Sequence, residues 1–314
     1  MNASSGGESL LTPRNLAAFL LVSLIWGGTW LVIRDQLSVV PASWSITWRF
    51  VVAAAGMFVL AKFRGEPLAL PREGWRWALA LGLFQFCLNF SFVYNAEKFI
   101  TSGLVAVMFA LLVVPNAVLG KFVLGQPIRR EFVLGSTIAA IGVAMLFAQE
   151  WRASPATLGE VLLGAALTIG GILSASAANI VQAMDGAKRM PLLTLLAWSM
   201  VMGVILNAGF ALVTQGPPQF DTRPEYALGI LYLGLLGSVV TFPLYYGLVR
   251  KVGAGTAAYS SVIVPIVAMV LSTLFEGFVW GILPAAGAAI TLIGMVVALR
   301  GRSAPPPRRA TPEP

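Results

Sequence analysis

Arg49 is the residue whose chemistry stands out first, because it interrupts "SWSITWRFVVAAAGMFVLAK", the stretch from Ser43 to Lys62, which is otherwise apolar enough to cross a bilayer. A guanidinium offers five donors in a planar fork that matches a carboxylate. Polar groups recur elsewhere at helical spacing. Gln85, Asn89 and Phe92 stand at i, i+4 and i+7; Ser176, Asn179 and Gln182 follow at three-residue steps; Ser238, Thr241 and Tyr245 form a similar stripe. Trp26 and Trp30 lie one turn apart beside Gly27 and Gly28, which permit close backbone approach, and Met108, Asn116, Tyr259 and Ser260 complete the set. The chain has no His and one cysteine, Cys87. Ser/His and Cys/His catalysis, a His/Cys metal site and an internal disulfide are therefore excluded, and no cofactor is expected. The chemistry on offer is recognition by hydrogen bonding and stacking.

Each of these groups also has a plainer use. Ser, Thr and Asn commonly bond across neighbouring membrane helices for about 0.6–2 kcal/mol. Trp and Tyr gather at membrane interfaces, as Trp44 and Trp48 would. Counted from Ser43, Arg49 lies about 9 Å deep at 1.5 Å per residue, within reach of the headgroups for its long stem. It either faces an aqueous cavity and holds a substrate carboxylate, or ties helix ends together through Asp35, Glu160 or backbone carbonyls. On the sequence we favour the second.

The elements that position these residues follow from composition. The 314 residues are 58% hydrophobic and 11% charged, with a mean hydropathy of +0.83. So much apolar surface points to an integral membrane protein. Ten windows long enough to span are expected, at roughly 15–34, 43–62, 76–95, 101–121, 131–148, 158–182, 191–213, 226–249, 255–275 and 278–299, from a rise of about 1.5 Å per residue across about 30 Å of hydrocarbon. The segment 1–14 reads as a cytoplasmic tail with no cleaved signal peptide, and the Pro-rich, basic 300–314 as a disordered cytoplasmic tail. Of the 21 Lys and Arg residues, sixteen fall on the side that holds both termini, four on the other, and Arg49 is left over. That asymmetry predicts cytoplasmic termini and accounts for the net charge of +8 without nucleic acid.

Two halves share a pattern 150 residues apart. Pro41 matches Pro191, Pro115 matches Pro265, and eleven positions further on stand Gln126 and Glu276. The next spans repeat a Gly-x6-Gly spacing as Gly135/Gly142 and Gly287/Gly294. The two repeats are expected at 15–148 and 157–299. Five spans per copy is odd, so the copies would be inverted relative to each other, the architecture of secondary transporters. Pro115 and Pro265 would be matching points of helix bending. Gly135, Ala139 and Gly142 against Ala286, Ala289 and Ile293 suit tight packing of spans 5 and 10.

The "SLIWGGTWLVIR" of span 1, the "WRF" of span 2, "PNAVLGKFVLGQP" around Pro115 and "VPIVAMVLSTLFEG" around Pro265 resemble the two EamA-type repeats of the drug/metabolite transporter superfamily, over about residues 15–299. Within it the chain is most similar to bacterial exporters of aromatic amino acids. The resemblance implies a central cavity enclosed by spans 1–4 and 6–9, with spans 5 and 10 outside. Where many relatives carry Gly-Glu after span 4, this chain has Gly125-Gln126, so a role needing both acids is not expected. "RF" recurs in relatives with other cargo, which adds to the structural reading of Arg49.

The resulting expectation is an inner-membrane exporter of small metabolites, aromatic amino acids first, with the lipid bilayer as its other partner and a monomer as its oligomeric state. Without an Asp, Glu or His near any mid-span, facilitated movement is expected rather than proton coupling. Threonine- or homoserine-type amino acids, a nucleobase or a drug are the alternatives on the same fold. A non-transporting scaffold that binds anionic lipid or partners through the basic face is the alternative from another class.

Overall fold

The computed structural model of the chain describes residues 12–125, 128, 130–153, 157–252 and 260–300, and among these every regular element is helical. The long helices are α1 (Pro13–Gln36), α2 (Ala42–Phe63), α3 (Gly74–Ala96), α4 (Ser102–Leu124), α5 (Arg130–Ala153), α6 (Leu158–Ala183), α7 (Leu192–Gln215), α8 (Pro224–Leu248), α9 (Ser260–Phe275) and α10 (Ile282–Arg300). Among the described residues seven candidate spans, α1–α4 and α6–α8, are long and apolar enough to cross a membrane, and Ile263–Phe275 and Ile282–Ala298 are shorter apolar stretches. The protein is membrane-spanning.

Local sequence sets the helix ends. Pro13 opens α1, where its missing N–H costs nothing. Thr157 accepts from the Glu160 backbone N–H while Glu160 reaches back to Thr157, a capping box that starts α6. The chain leaves α4 through Gly125 (φ 67°) and turns after α9 through Gly277 (φ 72°), left-handed conformations in which a Cβ would be strained. Pro115 removes the hydrogen bond to the Leu111 carbonyl, and α4 tightens to a 3-10 turn at Ala110–Leu112 on that spot. Pro265 lies inside α9. Gln126, the matching position to Glu276, lies outside the described residues.

The two halves share a second irregularity. Both α3 and α8 widen into a π-helix, over Gly82–Asn89 and Tyr232–Val240, beginning 150 residues apart. Packing between the halves is reciprocal. Helix α1 lies on α9 as α6 lies on α4, α2 on α8 as α7 on α3, and α2 on α7. Two similar bundles thus interlock around a shared centre.

Helices α5 and α10 pack on each other, backbone to backbone. A Cβ on Gly135 would lie 2.2 Å from the Ala298 nitrogen, and one on Gly294 2.3 Å from the Ala139 nitrogen. Gly142 meets Gly287 and Thr291 in the same way. The α10 face in contact is therefore Gly287, Thr291, Gly294 and Ala298, not the expected Ala286, Ala289 and Ile293. Both Ala289 and Ile293 are exposed, because i, i+4, i+7 steps from Gly287 follow one helix face and the alternative stripe is rotated off it.

Candidate functional site

Between the two bundles lies a cavity of about 190 Å³, smaller than the roughly 300–1,000 Å³ of sites for drug-sized ligands. Of the residues singled out from the sequence, Trp26, Trp30, Arg49, Gln85, Asn89, Asn179, Tyr245, Ser260 and Pro265 line it. Others in its wall, among them Phe90, Phe109, Phe242 and Tyr246, were not singled out. Its polar groups are few, and most of its surface is aromatic or aliphatic.

In α3 and α8 the π segments explain the difference. Each adds a residue to a turn and so rotates the residues beyond it by about 100° relative to an α-helix. Gln85 and Asn89, inside the first segment, reach the cavity, but Phe92, beyond it, turns onto Gly170 of α6. Phe90 takes the inward place. In α8 the Ser238 hydroxyl donates 2.9 Å to the Leu233 carbonyl five residues back, which the widened turn leaves within reach, and Thr241 donates 2.8 Å to Gly237. Only Tyr245 of that stripe lines the cavity.

The remaining expected residues hold helices together. Met108 is buried with Leu104, Ile172 and Met269. Asn116 accepts from Asn179 at 3.4 Å, and Gln182 donates to the Tyr246 hydroxyl. Ser176 is fully buried and its hydroxyl has no partner. Tyr259 lies outside the described residues. Asn89 has both uses: it lines the cavity and donates 2.9 Å to the Gly171 carbonyl of α6.

Arg49 is 2% exposed and stands in the cavity wall. Its Cζ lies 4.3 Å from the centroid of the Phe90 ring and 5.4 Å from that of Phe50, within the range of about 6 Å over which an aromatic quadrupole attracts a cation. Nη2 reaches Ser238 Oγ at 3.5 Å, and the Tyr94 hydroxyl is a polar neighbour. Nε and Nη1 are buried without a hydrogen-bond partner. The carboxylates proposed from sequence as its partners are elsewhere: Asp35 is exposed beyond the end of the cavity, and Glu160 serves the cap of α6. Gly237 stands beside the guanidinium, where a Cβ would make an ordinary contact with Nη2 at 3.6 Å.

Polar contacts close in on both sides of this chamber. Toward the end where α1 begins are the Asn179–Asn116 and Gln182–Tyr246 pairs. Toward the end where α1 finishes, Tyr94 donates to Gln36 at 3.2 Å and Ser45 meets Tyr226 at 2.9 Å. Arg34 donates from Nη1 to the Glu97 and Ile100 carbonyls, both at 3.0 Å, and its Nε is 3.8 Å from Glu276.

The EamA-like transporter family matches this chain at residues 14–148 and 162–300, so the chain belongs to that family. It is similar to Protein PagO of Salmonella typhimurium, at 25% identity over 90% of each chain. A probable amino-acid metabolite efflux pump of the same organism is 24% identical over 90% of this chain and 93% of its own. A counterpart with the same description from Escherichia coli is 23% identical over 81% of this chain and 84% of its own. A solved crystal structure superposes with a TM-score of 0.64 at 20% identity, covering 90% of this chain and 95% of the other, which is a likeness of fold. The protein is a membrane transporter, not an enzyme.

Proposed function

We propose that this transporter exports small zwitterionic metabolites, aromatic amino acids first, across a bacterial-type inner membrane by facilitated alternating access. The observation that carries the cargo is Arg49: a buried guanidinium with two unfilled donors on a cavity wall and, among the described residues, no carboxylate within salt-bridge distance. A buried cation with unfilled donors is costly, and a ligand carboxylate accepting from either of them would relieve that cost. This reverses the preference drawn from the sequence. The aromatic ring would lie against Trp26, Trp30, Phe109 and Tyr245, which line the same space. Two relatives described as probable amino-acid metabolite efflux pumps support an amino-acid cargo.

Alternating access is supported by the reciprocal packing of the halves and by the matched π segments. In this reading ten spans form two inverted repeats, 15–148 and 157–299, with both termini cytoplasmic and a monomer as the working unit. Facilitated movement follows from the cavity wall, which holds Arg49 as its one ionised group among the described residues and no carboxylate to carry a proton. The test is uptake of labelled tryptophan into proteoliposomes, with phenylalanine and tyrosine as competitors, with and without a pH gradient. Saturable uptake that both compete for, with no accumulation driven by the gradient, is the expected result. Accumulation against the tryptophan gradient would overturn the facilitated mechanism, and absence of uptake by folded protein would overturn the cargo.

A further inference from the structure

Outside the cavity wall, at the end of the bundle where α1 finishes, two acidic residues from different halves gather at one arginine, Glu276 through its carboxylate and Glu97 through its backbone carbonyl. Glu97 follows α3 and Glu276 follows α9. Glu276 accepts from the Ser102 hydroxyl of α4 and pairs with Arg34 of α1 at 3.8 Å. Arg34 spends its other contacts on backbone carbonyls, those of Glu97 and Ile100. Glu97 itself is 1% exposed, and neither of its oxygens has a hydrogen-bond partner. Of the two acids, Glu276 therefore has the ion pair, and the deeper Glu97 has no donor.

The groups that act on Glu97 come from every side. Glu276 repels its charge, whereas Arg34 and, from α2, Arg49 favour it; Tyr94 of α3 is a neutral neighbour. Burial is the largest effect, and together with Glu276 it outweighs the two arginines, so the Glu97 carboxyl is pushed well above its ordinary range. A buried carboxylate with no donor is costly, and the cheapest remedy is a proton.

We propose that Glu97 and Glu276 form a proton-binding site that holds one proton while this end of the transporter is closed and releases it when the end opens and water reaches Glu97. The site joins the two halves, so separating them there hydrates Glu97 and restores ordinary acidity. Closure and proton binding are then linked, and acid on that side favours the closed arrangement. Lying outside the cavity wall, the site sets the gate and does not drive cargo, so it stands apart from the identity of the substrate.

Infrared spectroscopy of the full chain in vesicles tests this without substrate. A carbonyl stretch from a protonated carboxylic acid is expected at neutral pH, absent in Glu97→Gln and shifted to lower pH in Glu276→Gln, where the repelling charge is gone. No such band at neutral pH, or a band that persists unchanged in both variants, overturns the proposal. If Glu97→Gln does not fold, the direction of the shift in Glu276→Gln decides. A reporter of opening is Val93→Cys in a Cys87→Ser background, since Val93 lines the cavity toward this end. Its labelling by an impermeant thiol reagent should slow on acidification by up to about tenfold per pH unit through the titration, the limit for one linked proton. Equal pH dependence with Glu97→Gln added would overturn the link to closure.

Discussion

The Arg49 guanidinium lies 4.3 Å from the centroid of the Phe90 ring, and the two residues belong to facing helices, α2 and α3. The ring covers one face of the cation, and the Nε and Nη1 donors have no hydrogen-bond partner. Arg49→Lys keeps the charge and loses the fork, so affinity for tryptophan should fall at least about tenfold, or about 1.4 kcal/mol. Tryptophanamide, which has no carboxylate, should discriminate little between wild type and variant. Competition binding with both compounds checks this, and an equal loss for the two would make Arg49 a structural residue.

Gly237 sets the space beside Nη2 of the same guanidinium. A Cβ there would lie 3.0 Å from Thr29 Cγ2 and 3.6 Å from Arg49 Nη2. Gly237→Ala should be accommodated by a shift of a few tenths of an ångström, whereas Gly237→Leu should push its side chain into the chamber. Transport of tryptophan should fall more steeply with Gly237→Leu than transport of alanine, because the larger ring needs the lost volume. A parallel decline for both cargoes, measured in the same vesicles, would mean that the substitution acts on folding.

The interface of α5 and α10 should behave in the opposite manner. Gly294→Val must displace the backbone of α5 at Ala139, and overpacking of this kind costs typically about 1–3 kcal/mol. The thermal midpoint should drop while KM for tryptophan stays within about twofold in the protein that remains folded. A raised KM with an unchanged midpoint would place α10 in the transport path.

The site was legible in the sequence in part, and the π segments account for some of what was not. Gly135, Ala139 and Gly142 pack as expected, whereas on α10 the repeated Gly287 and Gly294, read from the sequence only as a sign of duplication, form the contact in place of Ala286, Ala289 and Ile293. Trp26 and Trp30 precede any irregularity in their helix and line the cavity as a plain α-helix would present them. Phe92 and Phe90 exchange places because π turns leave no signature in apolar periodicity. Glu97 reads as a loop residue from its place after the span, and only the fold reveals its burial between Arg34 and the far half.

Stability should vary with pH through Glu97, and the sign follows from its environment. Its carboxyl is raised well above 4.5 in the folded protein, by burial first and by Glu276 second, so the folded state holds a proton that the unfolded chain gives up near 4.5. Where the folded state binds more protons, stability falls as pH rises. The loss should begin just above pH 4.5 and continue until the folded carboxyl itself ionises. Glu97→Gln, neutral at every pH and nearly the same shape, removes this dependence and should be the more stable protein at the alkaline end. Thermal midpoints of both proteins between pH 5 and 9 in the same detergent measure it. A wild-type midpoint that rises with pH, or one that falls equally in the variant, would mean that Glu97 is ionised in the folded protein and satisfied by Arg34.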